Sequence, residues 1–528
     1  MRRVASLLGA CAFALIALAD ASAYRRTLNR VASLDPLHAS SLYDCTVIPL
    51  AYESLLEVDY LRRPYALAPS LAELPEISAD GLEYTYRLHA GHRFANGRAV
   101  AAEDVVYSLR RLGDVANASS GSWVMKDVAS VDAVDPLAVR FRLRRPVHYF
   151  PWLTAMPYTG IVPREDVEAQ GDAFGRRSYG SGPYRLAEWR RNHKLRFVRN
   201  VDWPGWARAD TSAGRPVETI EFLHVEDPST QWLMFLGGEI DYLGEVARDN
   251  WDAVVGKDGR LAPDLAARGI RLNSYSTLEV DYIGVNMDDP VLGKNRKLRQ
   301  ALNCAFDSNA WMRFFHGATE PADGPVPHGV EGRLETPFPY AFNLDRARAL
   351  LAEAGYPGGI DPATGRRLVL TVAIGRPTQD MLESTELMAS FFEKIGVVLS
   401  SQRYTWNAFV KAVSERRVQM FRMGWIGDYP DAQNFLQLFH SSNVSPGPNH
   451  SNYSDPDYDR IYESALEAKD PSARNLAWAQ AQEKIREDCP WIFLAFRRNF
   501  TLLRPGIENY RPTDFSHGVE KHFRLSRE

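Results

Sequence analysis

Three neighbouring segments indicate the fold class: RRLVLTVAIG (366–375), MLESTELMASFFEKIG (381–396) and VVLSSQRY (397–404). The first and third are short apolar runs of the kind that is typical of strands. The middle segment has apolar residues at the spacing of an amphipathic helix. The order strand, helix, strand predicts a right-handed crossover if the strands are parallel, and with it a mixed α/β protein.

Other segments continue this alternation of strands and helices. The segment NLDRARALLAEAGY predicts a helix that Asn343 caps and Gly355 ends. The segments EYTYRL (83–88) and VRFRL (139–143) alternate between apolar and polar residues, which predicts two strands. Mixed strands and helices therefore extend over most of the chain.

Two further helices are predicted nearer the ends of the chain. After the loop that begins with SLDP, we expect an amphipathic helix with Leu50, Ser54 and Leu55 on one side. The segment SARNLAWAQAQEKIRED (472–488) predicts a second helix, which Pro490 ends.

Length and composition indicate a globular protein of several packed units. The chain has 528 residues, more than one hydrophobic core usually supports, so two or three units are expected. Its pattern breaks near residues 58, 179 and 285. The 62 basic and 66 acidic side chains give a net charge of -4, which argues against nucleic acid as a partner.

The first residues have the pattern of a secretory signal. A basic start, an apolar run from Val4 to about Ala19 and the small residues Ala21-Ser22-Ala23 predict cleavage that leaves Tyr24 first. Residues 1–23 would then be a signal peptide of a secreted, periplasmic or extracellular protein. As an alternative, LGAC loosely resembles a lipoprotein box, which would leave a lipid anchor at Cys11.

Three cysteines remain after the predicted signal, namely Cys45, Cys304 and Cys489. They form no CxxC pair and have no histidine spaced for zinc, and we expect small buried core residues. No later segment approaches the roughly 18 uninterrupted apolar residues of a membrane-spanning helix.

Catalytic and metal motifs are poorly supported. Ser181 in GSGPY lacks the G-x-S-x-G spacing of a nucleophile elbow, and a turn followed by a strand is expected there. His89 and His92 are interpreted as surface or loop histidines, and no HExxH motif is present. We therefore predict no catalytic residue, no metal site and no cofactor.

Two carboxylates lie three residues apart in GWIGDYPDAQNF (424–435). Asp428 and Asp431 are weighed as a glycosidase pair. However, Asp431 precedes a helix expected to start near Ala432, where it would serve as the N-cap. Asp428 has no such role, so it is either a turn carboxylate or a ligand group.

Together, several blocks of the chain resemble the extracellular solute-binding proteins of family 5, which serve ABC transporters of oligopeptides and dipeptides. The blocks are LDPLH, YESLLEVD, YTYRLHAGHRFANGRAVAAEDVVYSLRRL, GSGPYRLAEW with FVRNVDW, YIGVNM with KLRQALNCAFD, FNLDRARALLAEAGY and GWIGDYPDAQNFLQLF. Their shared order over almost the whole mature chain carries the resemblance.

The resemblance implies a periplasmic-binding-protein-like α/β fold of type II, also called cluster C. Two main lobes close over the ligand, and a third lobe is inserted in the first. Lobe I would comprise residues 24–57, 180–284 and 501–528, the inserted lobe II 58–179, and lobe III 285–500. The return to lobe I near 500 is implied by the family alone.

The resemblance also implies a ligand site. Asp428 falls at the position of an aspartate that pairs with the α-ammonium group of a peptide, and Trp425 at that of a tryptophan that packs on its side chains. Trp406 and Arg422 match a second ligand-facing tryptophan and an arginine that meets a peptide carboxylate. The main chain of four further residues would hold the ligand backbone, namely Ser41, Leu42, Gly424 and Ile426.

The predicted function is that of the substrate-binding component of an ABC importer, which is no enzyme. It would bind oligopeptides or dipeptides, deliver them to permease subunits in the membrane, and act as a monomer. One alternative keeps the fold and changes the ligand to another amine, a metal chelate, haem or an oligosaccharide. A chaperone-like or sensory protein of this fold and a secreted hydrolase using Asp428 and Asp431 are further alternatives.

Overall fold

The computed structural model describes residues 23–208, 214–247, 250–256, 260–375, 377–515 and 517–526. These residues form two compact units, of which the first contains the described residues up to Asn273 and from Phe500 onward. The second unit contains Ser274–Asn499. The predicted signal sequence up to Ser22, including Cys11, lies outside the described residues. The division into three lobes stays a prediction.

The secondary structure alternates along the chain. The strands are β1 (Ala23–Thr27), β2 (Leu56–Val58), β3 (Leu67–Pro69), β4 (Glu76–Ile77), β5 (Glu83–Arg87), β6 (Val128–Asp135), β7 (Ala138–Leu143), β8 (Tyr184–Arg190), β9 (Lys194–Arg199), β10 (Arg215–Pro216), β11 (Thr219–Leu223), β12 (Tyr242–Leu243), β13 (Arg271–Val285), β14 (Thr319–Pro321), β15 (Val369–Ile374), β16 (Val398–Arg403), β17 (Met420–Ile426), β18 (Trp491–Leu503), β19 (Ile507–Glu508) and β20 (Arg524–Leu525). The α-helices are Leu42–Ala51, Ala102–Gly113, Phe150–Leu153, Arg164–Gln170, Pro228–Gly237, Trp251–Val254, Pro263–Ala267, Arg296–Ala305, Ser308–Phe314, Leu344–Glu353, Gln379–Glu393, Trp406–Ser414, Ala432–Leu436, Pro456–Glu467 and Pro471–Asp488. Within the described ranges, no helix is both long and apolar enough to cross a membrane.

The first unit is built on a mixed sheet with the strand order β12, β1, β11, β9, β8. Strand β1 is parallel to β11 and β12, whereas β9 is antiparallel to β11 and β8. Residues 76–143 supply a separate antiparallel sheet with the order β4, β5, β7, β6. Strands β5 and β7 confirm the predictions from EYTYRL and VRFRL.

The second unit contains the strand order β16, β15, β17, β13, β18. Strands β15 and β16 are parallel, and the helix Gln379–Glu393 connects them, which confirms the predicted strand, helix and strand. Phe391 and Phe392 of this helix belong to the same buried apolar cluster as Val372 of β15 and Ile283 of β13. The sequence segment that indicated the fold class therefore forms one side of this core.

Two predicted helices of the second unit are confirmed, and they end at Glu353 and Asp488, each two residues before the predicted Gly355 and Pro490. The Asn343 side chain accepts a hydrogen bond from the Arg346 amide and caps the helix Leu344–Glu353. The C-terminal helix spans Pro471–Asp488, and Cys489 ends it in the left-handed conformation with φ 48°.

One predicted helix is shorter than expected. The pattern placed Leu50, Ser54 and Leu55 on one helical side, but the helix ends at Ala51. The Gly182 amide donates to the Ala51 carbonyl at 2.9 Å, so this carbonyl does not need a helical partner. A Cβ atom on Gly182 would lie 2.6 Å from the Ala51 carbonyl carbon, so only glycine permits this approach.

A buried carboxylate follows this helix and joins three distant segments of the first unit. Glu53 is 4% exposed and accepts hydrogen bonds from His92 Nδ1 at 2.8 Å, Ser181 Oγ at 2.7 Å and Trp203 Nε1 at 2.9 Å. Burial by itself would raise the pKa of Glu53, but the hydrogen bonds and the charge of His92, with Ser181 and Trp203, bring it below its ordinary value. The carboxylate therefore stays ionised inside the unit.

These contacts correct one sequence interpretation and confirm another. His92 lies in a loop, as predicted, but it is not at the surface, because it is 2% exposed and bonded to Glu53. The prediction for Ser181 is confirmed, since β8 begins three residues later, at Tyr184. The Ser181 hydroxyl donates to a carboxylate rather than to a histidine, so it lacks the partner that activates a nucleophile.

The prediction for the cysteines is also confirmed. Cys45, Cys304 and Cys489 are buried, and none of them forms a disulfide. Burial raises the pKa of Cys304 to about 11 and that of Cys489 well above its ordinary value. These thiols are core residues.

We predict that Glu53→Ala lowers the free energy of unfolding by about 3 to 5 kcal/mol, because three buried donors lose their acceptor. Urea unfolding followed by circular dichroism measures this loss. The matched control is Glu239→Ala on the surface of the same unit, which should change stability by no more than about 0.5 kcal/mol. Since the pKa of Glu53 is lowered, its contribution should be present at neutral pH and lost on acidification through that pKa. Equal effects of the two substitutions would contradict this assignment.

Candidate functional site

Strand β17 has a backbone edge that the second unit leaves without a strand partner. Strand β13 pairs with β17 along its whole length, but β15 pairs only with Met420, Phe421 and Arg422. Among the described strands, none pairs with the segment from Met423 to Ile426 on that side. Its main-chain groups can therefore pair with an extended ligand.

The predicted residues of β17 lie on opposite faces of the strand. Arg422, Gly424 and Ile426 alternate onto one face, and Trp425 lies on the other. Gly424 is exposed and Ile426 is 63% exposed. A Cβ atom on Gly424 would lie 2.8 Å from a carboxylate oxygen of Asp281 on β13, so a side chain there would close the strand surface.

Arg422 is a half-buried cation held by neutral groups. Its guanidinium donates to Ser384 Oγ at 2.7 Å and lies 5.1 Å from the centre of the Trp311 ring. Burial lowers the pKa of Arg422 to about 10, and the charge of Asp281 offsets part of this effect. In the described part of the chain, no carboxylate forms an ion pair with Arg422. The group is suited to an anionic ligand group.

Asp428 and Trp425 share one buried amide. Asn434 Oδ1 accepts from Trp425 Nε1 at 2.9 Å and from the Asp428 amide at 3.2 Å, and its Nδ2 donates to Asp428 Oδ2 at 3.3 Å. Asp428 itself is exposed to solvent. The sequence pattern gave no separate signal for Asn434, because it resembles any polar residue in a short helix.

The environment of Asp428 penalises its charge. Burial by surrounding protein raises the pKa of Asp428, and the hydrogen bond from Asn434 lowers it in part. The Asp428 carboxylate reaches solvent but has protein on most sides. Its pKa is therefore raised although the residue is exposed. No lysine, arginine or histidine of the described ranges pairs with Asp428. The carboxylate is therefore suited to a cationic ligand group.

Asp431 has a different role from Asp428. It is 5% exposed, and its side chain accepts from the Gln433 amide at 2.8 Å, which caps the helix Ala432–Leu436. The prediction that Asp431 is an N-cap is confirmed. One carboxylate oxygen of Asp431 is engaged in the cap, which argues against this residue as the second acid of a glycosidase pair.

Trp406 begins the helix Trp406–Ser414 and is 43% exposed. Its ring lies 5.6 Å from that of Phe409. A Cβ atom on Gly375, the residue after β15, would lie 2.6 Å from Phe409 and 3.0 Å from Trp406. The indole therefore lies near the end of β15, the strand that leaves the edge of β17 open.

Ser41 and Leu42 belong to the first unit. Ser41 caps the helix Leu42–Ala51, since its hydroxyl accepts from the Asp44 amide at 3.2 Å and lies 2.9 Å from Asp44 Oδ2. Leu42 is 59% exposed. The Ser41 hydroxyl is engaged in the cap and its carbonyl accepts from the Cys45 amide at 3.1 Å, so a predicted main-chain contact with a ligand would use the Ser41 N–H group.

The described residues contain no group of three or more histidine, cysteine, aspartate or glutamate side chains that is suited to a metal ion.

The second unit brings together Asp428, Trp425 and Asn434 at the end of β17, with Arg422 on the same strand. Trp311 and Ser384, which hold Arg422, come from two helices distant in sequence. Sequence reasoning missed them because neither has a local pattern that distinguishes it.

A family model described as "Bacterial extracellular solute-binding proteins, family 5 Middle" matches residues 66–447. Among characterised relatives, the glutathione-binding protein GsiB of Pectobacterium atrosepticum is 29% identical over 472 residues, which cover 88% of this chain and 87% of that protein.

Solved structures agree over nearly the whole chain. The structure of HbpA2 from Haemophilus parasuis has a TM-score of 0.82 and 26% identity, and the match covers 96% of this chain and all of that one. The unliganded open form of the periplasmic murein tripeptide binding protein MppA has a TM-score of 0.79 and 23% identity, with coverage of 96% and 98%. These likenesses confirm the predicted fold class.

We predict that Asp428→Asn does not lower the melting temperature of the ligand-free protein, and raises it slightly at neutral pH. The pKa of Asp428 is raised in the folded state, so its ionised form costs stability above that pKa and the neutral amide removes this cost. Differential scanning calorimetry at neutral and acidic pH measures the difference, which should shrink as the pH falls. A clear loss of stability at neutral pH would contradict the assignment of Asp428 as a group without a structural role.

Proposed function

This chain belongs to the bacterial extracellular solute-binding proteins of family 5, the solute-binding components of ABC importers, and we propose that its ligands are oligopeptides or dipeptides with a free α-ammonium group. It binds them outside the cytoplasm without chemical change and delivers them, as a monomer, to permease subunits in the membrane. Its similarity to a glutathione-binding protein supports a small peptide ligand, because glutathione is itself a tripeptide with an α-ammonium group.

The observation that carries the proposal is the Asp428 carboxylate. It reaches solvent, the surrounding protein penalises its charge, and its side-chain partner is the neutral amide of Asn434. A ligand ammonium supplies the opposite charge that the described residues do not. A ligand without this group leaves the carboxylate desolvated and unpaired, which costs roughly 3 to 5 kcal/mol. One residue can therefore define the ligand class.

The open edge of β17 supplies affinity that is independent of the ligand's side chains. An extended peptide beside Gly424–Ile426 satisfies its own N–H and C=O groups with main-chain groups of the strand. In the same proposal, the main chain of Ser41 and Leu42 contributes further contacts from the first unit. Trp425 and Trp406 provide apolar surfaces for ligand side chains.

Arg422 is the proposed partner of a ligand carboxylate. Its guanidinium is positioned by Ser384 and Trp311, and it has no ion pair within the described part of the chain. In this proposal the ligand's carboxylate lies at Arg422 while its ammonium lies at Asp428. A haem ligand would use its propionates at Arg422 but would have no ammonium for Asp428, so the two residues distinguish these ligand classes.

We predict that peptide affinity depends on the ligand's ammonium group. Asp428→Ala should weaken binding of trialanine and of glutathione by about a hundredfold or more, and N-acetylation of either peptide should weaken its binding to the wild type to a similar extent. Isothermal titration calorimetry measures both effects. The matched control is Asp345→Asn, a carboxylate with a 97% exposed side chain, which should bind like the wild type. Equal affinity for free and acetylated peptides would exclude the assigned role of Asp428.

The identity of the ligand can be tested without choosing a probe. Mass spectrometry of small molecules released from gently purified protein should detect peptides with a free amino terminus. Recovery of haem, an oligosaccharide or a metal chelate as the stoichiometric ligand would instead favour the alternative ligand classes. Loss of a peptide during long incubation with the protein would favour the hydrolase alternative.

We also predict that peptide affinity depends on the ligand's carboxylate. Arg422→Gln should weaken binding of trialanine by about thirtyfold, because a charge-assisted contact is removed from a partly desolvated site. The same substitution should have little effect on trialanine amide, which carries no carboxylate. Arg348→Gln, an exposed arginine of the same unit, serves as the control. An equal loss for both ligands would indicate that Arg422 supports the fold rather than the ligand.

A further inference from the structure

We propose that Asn434 is a positioning residue, whose amide fixes the Asp428 carboxylate and the Trp425 indole in the arrangement that the ligand ammonium meets. This inference rests on the proposed function of Asp428. It adds a residue that does not itself contact the ligand.

The geometry determines how the amide is oriented. The Trp425 indole and the Asp428 main-chain N–H are both donors, and they lie 2.9 and 3.2 Å from the same atom of Asn434. That atom must be the amide oxygen, because the NH₂ group has no capacity to accept. The NH₂ group is therefore directed at Asp428 Oδ2, at 3.3 Å. The Asn434 side chain is 1% exposed, and both its oxygen and its NH₂ group bond residues of the proposed site.

The position of the amide is itself fixed. Asn434 lies in the short helix Ala432–Leu436, whose first turn is capped by Asp431. The Asn434 main-chain N–H donates to the Asp431 carbonyl at 3.0 Å, and its carbonyl accepts from Gln437 Nε2 at 3.1 Å. The capping contact of Asp431 therefore contributes to the site indirectly, by holding the amide that holds Asp428.

A neutral amide is the partner that suits this role. An arginine or lysine in the same place would orient the carboxylate but would also neutralise it and compete with the ligand ammonium. An amide donor orients the carboxylate and leaves its charge uncompensated until the ligand arrives. It also favours the ionised form of Asp428, against the effect of burial.

Charged groups on the neighbouring elements are engaged elsewhere. Glu331, whose segment contacts Asp431, lies 3.6 Å from Arg474. Glu279 on β13, which is in register with Ile426, lies 3.6 Å from Arg497. Asn434 is therefore the contact through which the ionisation of Asp428 can be altered with little change to other charges.

The test begins with the ligand-free protein. Carbon-13 NMR of aspartate-labelled protein, with the Asp428 carboxyl signal assigned from Asp428→Asn, gives the pH at which this group titrates. In Asn434→Leu and in the isosteric Asn434→Asp we expect the pKa of Asp428 to rise above its wild-type value. Leucine removes the donor, and aspartate replaces it with an acceptor of like charge.

The matched control is Asn303→Leu. Asn303 is another buried asparagine of the same unit, and its amide bonds the Trp491 carbonyl and the Phe493 amide rather than Asp428. We expect no change in the titration of Asp428 in this variant. An unchanged pKa in both Asn434 variants, or an equal change in the control, would overturn the proposal.

Ligand binding provides the second readout. At neutral pH, glutathione or trialanine should bind Asn434→Leu about tenfold more weakly than the wild type, with a larger loss as the pH falls. If the wild type binds neither peptide, the proposed function fails, while the titration in the free protein still decides whether Asn434 controls Asp428. If the wild type binds and Asn434→Leu binds equally well at every pH, the positioning role fails alone.

Discussion

Three distant segments of the first unit depend on the buried carboxylate of Glu53. An ionised group inside a protein is tolerated only when donors surround it, so Glu53 requires His92, Ser181 and Trp203 to lie at fixed positions around its two oxygens. These donors come from segments about 40, 130 and 150 residues along the chain. The early helix must also stop at Ala51 for Glu53 to reach them, and the contact of Gly182 with Ala51 sets that end. The family resemblance rests partly on the blocks YES, GHRF and GSGPY, which contain Glu53, His92 and Ser181. These blocks therefore meet at the Glu53 carboxylate.

In the second unit, the environment of the Asp428 carboxylate is the opposite of that of Glu53. Asp428 has a neutral amide as its partner and reaches solvent, and protein around it makes its charge costly. Glu53 accepts from three side-chain donors, whereas the Asp428 side chain accepts from the Asn434 amide alone among the described side chains. The number and charge of the partners of a carboxylate therefore distinguish the structural role of Glu53 from the binding role that we propose for Asp428.

The sequence predicted those features that depend on neighbouring residues. Periodicity located β15, β16 and the helix between them, and the N-caps at Asn343 and Asp431 were recognised because a cap is a local contact. Prediction from the sequence failed where contacts between distant residues determine the environment of a side chain. His92 lies in a turn, which favours exposure, yet the partner at Glu53 buries it. Asn434, Trp311 and Ser384 were missed for the same reason, since their roles arise from the residues that the fold brings beside them. All the assigned ligand contacts remain predictions drawn from the family, namely those of Asp428, Trp425, Trp406, Arg422, Gly424, Ile426, Ser41 and Leu42.

The buried thiols of the described chain have a practical consequence. Maleimide dyes react with thiolates that they can reach, and Cys45, Cys304 and Cys489 are buried, two of them with raised pKa values. A cysteine introduced at a described surface position should then label faster than these three native cysteines, without their removal. Fluorophores can be attached in this way to each of the two units, and energy transfer in single molecules would then measure whether an added peptide changes the distance between them.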